Sequence, residues 1–350
     1  MLSTRRGTET RPSLASPVRS PARRRGCYAA RWTRSSAGED AGGDTVITAA
    51  LLAALSLVCV AAATALAPAR WPRRGPSSGI VLWQAIGLAW GLAMVGAALA
   101  VAVAPYGRGL AFGLVALVRG DVPVALGPLR IVALAGGTAL FGLLVSALLA
   151  SLVQVGLARR RHRTLLALLA DGHPGLPGTL VVDHPAAAAY CVPGVRARVV
   201  VSAGALRLLA RDELQAVLAH ERAHARERHD LVLLPFTSLR WIFPRSRIVR
   251  NAIDAVSLLV EMRADDRALS EQPRRLLATA LLRFGASEPR ATPSGTLGIA
   301  FPAVSQDPVV VRALRLIGPS PALPRHIQVI TWGTAGALAA LPLALALLPL

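Results

Sequence analysis

The sequence predicts a mainly helical membrane protein, with four spanning helices and one polar α+β domain, carrying a small β-sheet, between the third and fourth spans. Three observations carry this. A mean hydropathy of +0.50 with only 17% charged residues is too apolar for an ordinary soluble domain. The runs 45–67, 78–107, 131–158 and 327–350 contain no charged side chain, and each is long enough to cross a hydrocarbon core, which takes about 20 helical residues. The block 159–326 then changes character, to charged residues and short strand-like runs.

The four runs read as transmembrane helices, because one buried core helix would explain one such run but not four. GLAFGLVALV, 109–118, is too short to span and reads as interfacial or re-entrant. Arginines set the orientation. Arg70, Arg73 and Arg74 follow the first span, and Arg159, Arg160, Arg161 and Arg163 follow the third. With alternating spans these loops share one side, and positive flanks face the cytoplasm. Arg108, Arg119 and Arg130 are spread over a longer loop and weaken the contrast. The expectation is a multi-pass protein of the cell membrane with 159–326 in the cytoplasm.

Residues 1–44 oppose this orientation. They hold nine Arg and no apolar run, with much Ser, Pro and Gly, and read as a disordered extension. They read either as a transit-like or Arg-rich tail or, the reading we prefer, as an artefact of the gene model with the natural start at Val46; a peptide recovered from within 1–44 would exclude the latter. The formal charge of +20 is carried by Arg alone, with no Lys, beside abundant Ala, Leu, Gly and Pro. That composition points to coding bias. With no zinc-finger or RNA-binding signature, direct nucleic-acid binding is not expected. Cys27, Cys59 and Cys191 are odd in number, far apart and without a C-x-x-C pair, which argues against a disulfide framework or a cysteine zinc site.

Within the polar block, TLVVD (179–183) and ARVVVS (197–202) read as strands, and AAYC (188–191), before Pro193-Gly194, as a third. The stretch from Ser202 to Phe236 reads as helix. Asp212 and Glu213 suit a helix start, Leu214, Val217 and Leu218 form an apolar stripe, and Pro235 should end or kink the run. Further helices are expected at about 250–270 and near 273–284, with a loop over 287–308.

The first helix contains His220-Glu221-Arg222-Ala223-His224. Residues four apart on a helix share a face, so both imidazoles can reach one zinc ion, and Glu221 can sit beside a metal-bound water as general base. Three fixed positions also occur by chance on a solvated helix. Two features favour the metal. Apolar AVLA precedes the motif, and 37 residues after His224 comes Glu261-Met262-Arg263-Ala264-Asp265. Glu261 can complete a two-His, one-carboxylate site, and Asp265, one turn on, can accept a hydrogen bond from a ligating imidazole. The plainer reading of those two acids is a surface pair near Arg.

H-E-x-x-H followed by E-x-x-A-D resembles the gluzincin membrane peptidases, such as the HtpX-type and CAAX-prenyl-protease-type enzymes. The layout is most similar to the BlaR/MecR-type membrane metallopeptidases, with three spans, a cytoplasmic zincin domain and a fourth span. The run AYCVPG…VVVSAGALRLL…DELQAVLAHERAHARERHDL resembles their protease core, and the likeness covers nearly all of 46–350. It implies one zinc per chain on His220, His224 and Glu261, Glu221 as general base, and Asp265 as hydrogen-bond partner of a ligand. The sequence differs in having no S-x-x-K motif and in stopping at Leu350, inside the fourth span, where BlaR-type receptors continue into an extracellular penicillin-binding sensor. Direct covalent β-lactam sensing is therefore not expected. The signal would come through the membrane, through 105–130, or from a partner.

The expected function is that of an integral membrane zinc metalloendopeptidase in regulated proteolysis, acting on a BlaI/MecI-type repressor or on itself. The alternatives are HtpX-like quality control of membrane proteins and a non-catalytic membrane sensor. A transporter should carry ionisable residues inside its spans, and these carry essentially none. Five residues past His224, a continuous helix has turned by about 500°, which puts His229 off the ligand face as a structural or supporting residue. His162, His173, His184 and His326 read as solvated, and Cys191 as a buried strand residue. Tyr190 and its neighbours are candidates for an edge strand to which a peptide substrate adds. Arg267, Arg312 and His326 are candidates for oxyanion stabiliser, with nothing in the spacing to choose among them.

Overall fold

The computed structural model describes residues 25–106, 109–120, 127–169, 171–172, 179–192, 198–286, 308–318 and 322–347, with the backbone alone for 25–43, 167–169 and 171–172. Four helices are long and apolar enough to cross a membrane, over Asp44–Leu66, Pro76–Tyr106, Pro128–Leu166 and Arg325–Leu347. They fall on the four uncharged runs. The chain is a multi-pass membrane protein.

Helix α1 (Arg25–Leu66) begins well before its span, so helical backbone enters the Arg-rich extension expected to be disordered. Helix α2 (Pro76–Val103) starts with Pro at its first position, where no N–H is needed. It packs on α1, on α4 (Pro128–Leu169) and on α11 (Arg325–Leu347). Large apolar side chains such as Val132, Phe141 and Val153 on α4, and Val329, Ile330 and Trp332 on α11, stand exposed, as lipid-facing surface requires. The short apolar run forms α3 (Leu110–Arg119), a ten-residue helix between Gly109 and Gly120, packed on α2 and α11.

Helix α4 does not stop at the expected domain boundary of 158–159. It runs on to Leu169 without a break, about 60 Å in all at 1.5 Å per residue. Its last turns carry Arg159 to an ion pair with Asp230, and His162 to a 3.0 Å hydrogen bond with the Tyr190 hydroxyl.

The polar block holds a four-stranded sheet in the order β1 (Asp171–Gly172), β2 (Thr179–Val182), β4 (Arg198–Ser202), β3 (Ala189–Val192). Strand β2 runs parallel to β4, and β3 antiparallel to it, with Tyr190 opposite Val200. The three strands read from the sequence are therefore present; the two-residue β1 carries no sequence signal of its own. β3 is an edge strand. Ser202 ends β4 and caps α5 (Ala203–Leu208), its hydroxyl accepting from Ala205 N and donating to the Ala186 carbonyl.

The stretch expected as one helix is three. α5 ends at Leu208, α6 covers Arg211–Glu227 and α7 covers His229–Ile242. The break between the last two is Arg228, at φ 48° in the left-handed region. Pro235 sits inside α7, which continues past it to Ile242, so of the two expectations, an end or a kink, the end does not occur. Proline removes one N–H from the ladder, and packing holds this helix together: Phe236 meets Trp83 of α2 edge to face, and Gln84 donates to the Val232 carbonyl at 2.6 Å.

Helices α8 (Arg247–Ala268), α9 (Arg274–Ala286) and α10 (Pro308–Ile317) complete the block, and the expected loop 287–308 lies outside the described residues apart from Pro308. One apolar cluster joins Leu52, Leu55 and Cys59 of α1, Trp83 and Ile86 of α2, Phe236 of α7 and Val256 and Val260 of α8. The spans and the helices of the polar block thus share a core.

Candidate metal centre

Helix α6 is held on three sides. Glu213 starts it by accepting from the Ala210 N–H at 2.9 Å, with Arg283 of α9 bound to the same oxygen. Leu214 and Leu218 pack on Val199 and Val201 of the sheet. Ala216 and Ala219 pack on Leu277 and Ala278 of α9. The remaining face turns to α8 and carries His220 and His224, both buried.

Nε2 of His220 and Nε2 of His224 are 3.1 Å apart. Glu261 on α8 places Oε2 at 3.4 Å from the first and Oε1 at 3.5 Å from the second. Zinc bound at 2.0–2.2 Å in a tetrahedron has ligand atoms roughly 3.3–3.6 Å apart; the two carboxylate distances fall in that range, and the imidazole pair is slightly closer. The three residues suit zinc by donor type, and one donor atom from each lies within 4.8 Å of the other two.

The partners of this trio are equally defined. Nδ1 of His220 lies 3.0 Å from Asp265 Oδ1, though off the line of an ideal hydrogen bond. Asp265 accepts both arms of the Arg312 guanidinium, at 2.9 and 2.7 Å. Nη1 of Arg312 reaches Glu261 Oε2 at 2.8 Å, and Nη2 lies 3.4 Å from His220 Nε2. Burial alone would raise the Asp265 carboxyl; Arg312 and His220 outweigh it and hold it at about 2. Glu261 is likewise held well below the ordinary carboxylate value, burial being outweighed by Arg312 and the two imidazoles. For His220, burial lowers the pKa and the two carboxylates raise it, to about 9 in the metal-free site.

His229 is also part of this centre, with its Nδ1 2.9 Å from His224 Nδ1 and its Nε2 3.3 Å from Glu227 Oε2. The helical reasoning that put His229 off the ligand face does not apply, because α6 and α7 are separate helices. Half-buried Glu221 lies in the field of His220, His224, Glu261 and Arg312; burial raises its carboxyl and the two imidazoles oppose the rise. Cys191 on β3 is buried, and its thiol is pushed up to about 12 by burial and by Glu221 and Asp230, so it is inert as a nucleophile. Of the three oxyanion candidates, Arg312 alone reaches the cluster; Arg267 is bound to Glu227 at 2.7 Å, and His326 sits at the start of α11.

Residues 157–275 match the sequence model of peptidase family M48. This segment is an M48 zinc metalloendopeptidase domain. No curated protein and no solved structure matches the chain. The M48 match starts at Leu157 within α4 and ends at Arg275 within α9, so it contains both halves of the His-His-Glu cluster. Arg312 lies beyond it. The sequence offered only a weak signal for that residue, one Arg among many, because its place at the centre depends on α10 folding back over α8 and α9. His229 was more legible, standing five residues past His224.

Proposed function

We propose that this protein is a membrane-embedded endopeptidase in which His220, His224 and Glu261 hold the catalytic zinc and Glu221 is the general base. The observation that carries this is the convergence of two imidazole nitrogens and one carboxylate within 3.1–3.5 Å of one another, a donor set and spacing suited to a catalytic zinc with three protein ligands. When bound, the metal supplies a Lewis acid that lowers the pKa of water to about 7. Glu221 takes the proton of the attacking water and returns it to the departing amine nitrogen. Its raised pKa brings it closer to the working range of a general base. Asp265 holds His220 in place, and Arg312 bridges Asp265 and Glu261, offsetting part of their charge.

The substrate is a peptide in extended form, added to the edge of β3 around Tyr190, which among the described residues has no further strand beside it, so as to deliver a backbone carbonyl to the centre. The domains divide at about 45–158 for the first three spans, 159–326 for the peptidase and 327–350 for the fourth span. The arginines flanking spans one and three support a cytoplasmic peptidase domain. The order of three spans, peptidase and fourth span supports regulated cleavage of a cytosolic repressor of the BlaI/MecI type.

The test measures zinc content and proteolysis in parallel on detergent-purified wild type and Glu221→Gln. We expect about one zinc in each and cleavage of casein or of the chain itself by wild type alone. Absence of zinc from both would reduce the cluster to a buried polar network and overturn the proposal.

A further inference from the structure

The two histidines of the centre are supported differently. His220 faces a carboxylate directly. His224 faces another imidazole, and the carboxylate, Glu227, lies one residue further out. This outer carboxylate is fixed by both arms of Arg263, at 2.8 and 2.9 Å, and by Arg267 at 2.7 Å.

We propose that His229 and Glu227 are positioning residues that set the tautomer of His224, through a relay running from Glu227 to His229 to His224. The inference rests on the zinc site proposed above.

Proton bookkeeping along the chain gives one solution. Glu227, ionised and bound by two guanidinium groups, accepts and does not donate. His229 therefore carries its proton on Nε2 toward Glu227 and leaves Nδ1 bare. Two Nδ1 atoms 2.9 Å apart share one proton, so it sits on His224 Nδ1. His224 then presents the lone pair of Nε2 to His220 and Glu261, as a metal ligand must. The opposite arrangement would put an N–H of His224 where the metal belongs.

The left-handed turn at Arg228 makes the relay possible. On an unbroken helix the side chains of 224 and 229 point about 140° apart. With the break, the two rings stand 4.9 Å apart between centroids, and His229 is fully buried under His224. The Asp230–Arg159 ion pair fixes the next residue of the same turn to α4.

The experiment measures zinc affinity by competition with a chromophoric chelator, and the melting temperature of the metal-free form, on the full chain in detergent. His229→Phe keeps the ring volume and removes both nitrogens. We expect zinc to bind roughly 10- to 100-fold more weakly, with little change in metal-free melting. His229→Asn keeps an acceptor at the Nδ1 position and should restore most of the affinity. Affinity within about threefold of wild type in the Phe variant, or an Asn variant as weak as Phe, overturns the relay. Should His229→Phe not fold, Glu227→Leu carries the same test: it removes the outer anchor, weaker zinc is expected, and unchanged affinity overturns the relay. Failure of the zinc site itself reads differently, since wild type would then bind no zinc.

Discussion

Arg312 on α10 grips Asp265 on α8 with two hydrogen bonds, 2.9 and 2.7 Å, in a pair that is almost wholly buried. Removing one partner of a buried pair leaves an uncompensated charge, at a cost of about 3–5 kcal/mol. Arg312→Ala should therefore lower unfolding stability by that order, and Arg312→Lys should recover only part, because an ammonium cannot reproduce the two-armed contact. The pair is also pH-dependent. Asp265 is depressed from an ordinary 3.8 to about 2, so its stabilisation is present above pH 3.8 and is lost as pH falls through about 2. Denaturant melts of both variants, with acid titration of wild type, check this; an Arg312→Ala protein as stable as wild type would exclude it.

Zinc and protons compete for His220. Its pKa of about 9 in the metal-free site means that below that pH a proton must leave before the metal binds. Zinc affinity should rise by up to about tenfold per pH unit from neutrality to about 9, then level off. Chelator competition across that range reads the slope directly. A flat profile would show that His220 is already neutral at pH 7.

A Cβ on Gly204 would stand 2.1 Å from the Pro185 carbonyl oxygen, with Ala186 backbone atoms at 2.7 Å. These are backbone atoms of the segment between β2 and β3, which Ser202 and the Gly204 N–H tie down through the Ala186 and His184 carbonyls, so they cannot step aside without breaking those bonds. Gly204→Ala should cost about 1–3 kcal/mol, in the range of overpacked core sites. Alanine has the higher helix propensity, so any loss in Gly204→Ala comes from the clash; a Gly204→Ala protein with unchanged melting would place the loop elsewhere.

Tyr190 sits on the edge strand and holds His162 of α4 through its hydroxyl. Tyr190→Pro should abolish peptide cleavage while zinc stays bound, because proline disrupts strand pairing and leaves the His-His-Glu trio in place. Peptide turnover and zinc content on the same preparation decide it. Unchanged turnover would rule out substrate addition at this edge.

The order of these elements along the chain was largely legible. Four uncharged runs, three strand-like segments and the pair H-E-x-x-H and E-x-x-A-D each leave a local mark, because span length, strand alternation and helical spacing are properties of neighbours in sequence. His220, His224 and Glu261 were readable for that reason. Pro235 does not end its helix, since a proline's local cost is outweighed here by the packing of Phe236 on Trp83.

What only the tertiary structure decided is the setting of those residues. That Arg312 closes on Asp265 and Glu261, and that α4 carries Arg159 and His162 from the membrane into the peptidase, depend on contacts between distant segments. The turn at Arg228 is a single backbone dihedral in a residue type that rarely adopts it. The sequence by itself determined which side chains could bind a metal and where the chain crosses the membrane. The fold decided which charges are desolvated together, and desolvation turns a charged helix face into a metal centre.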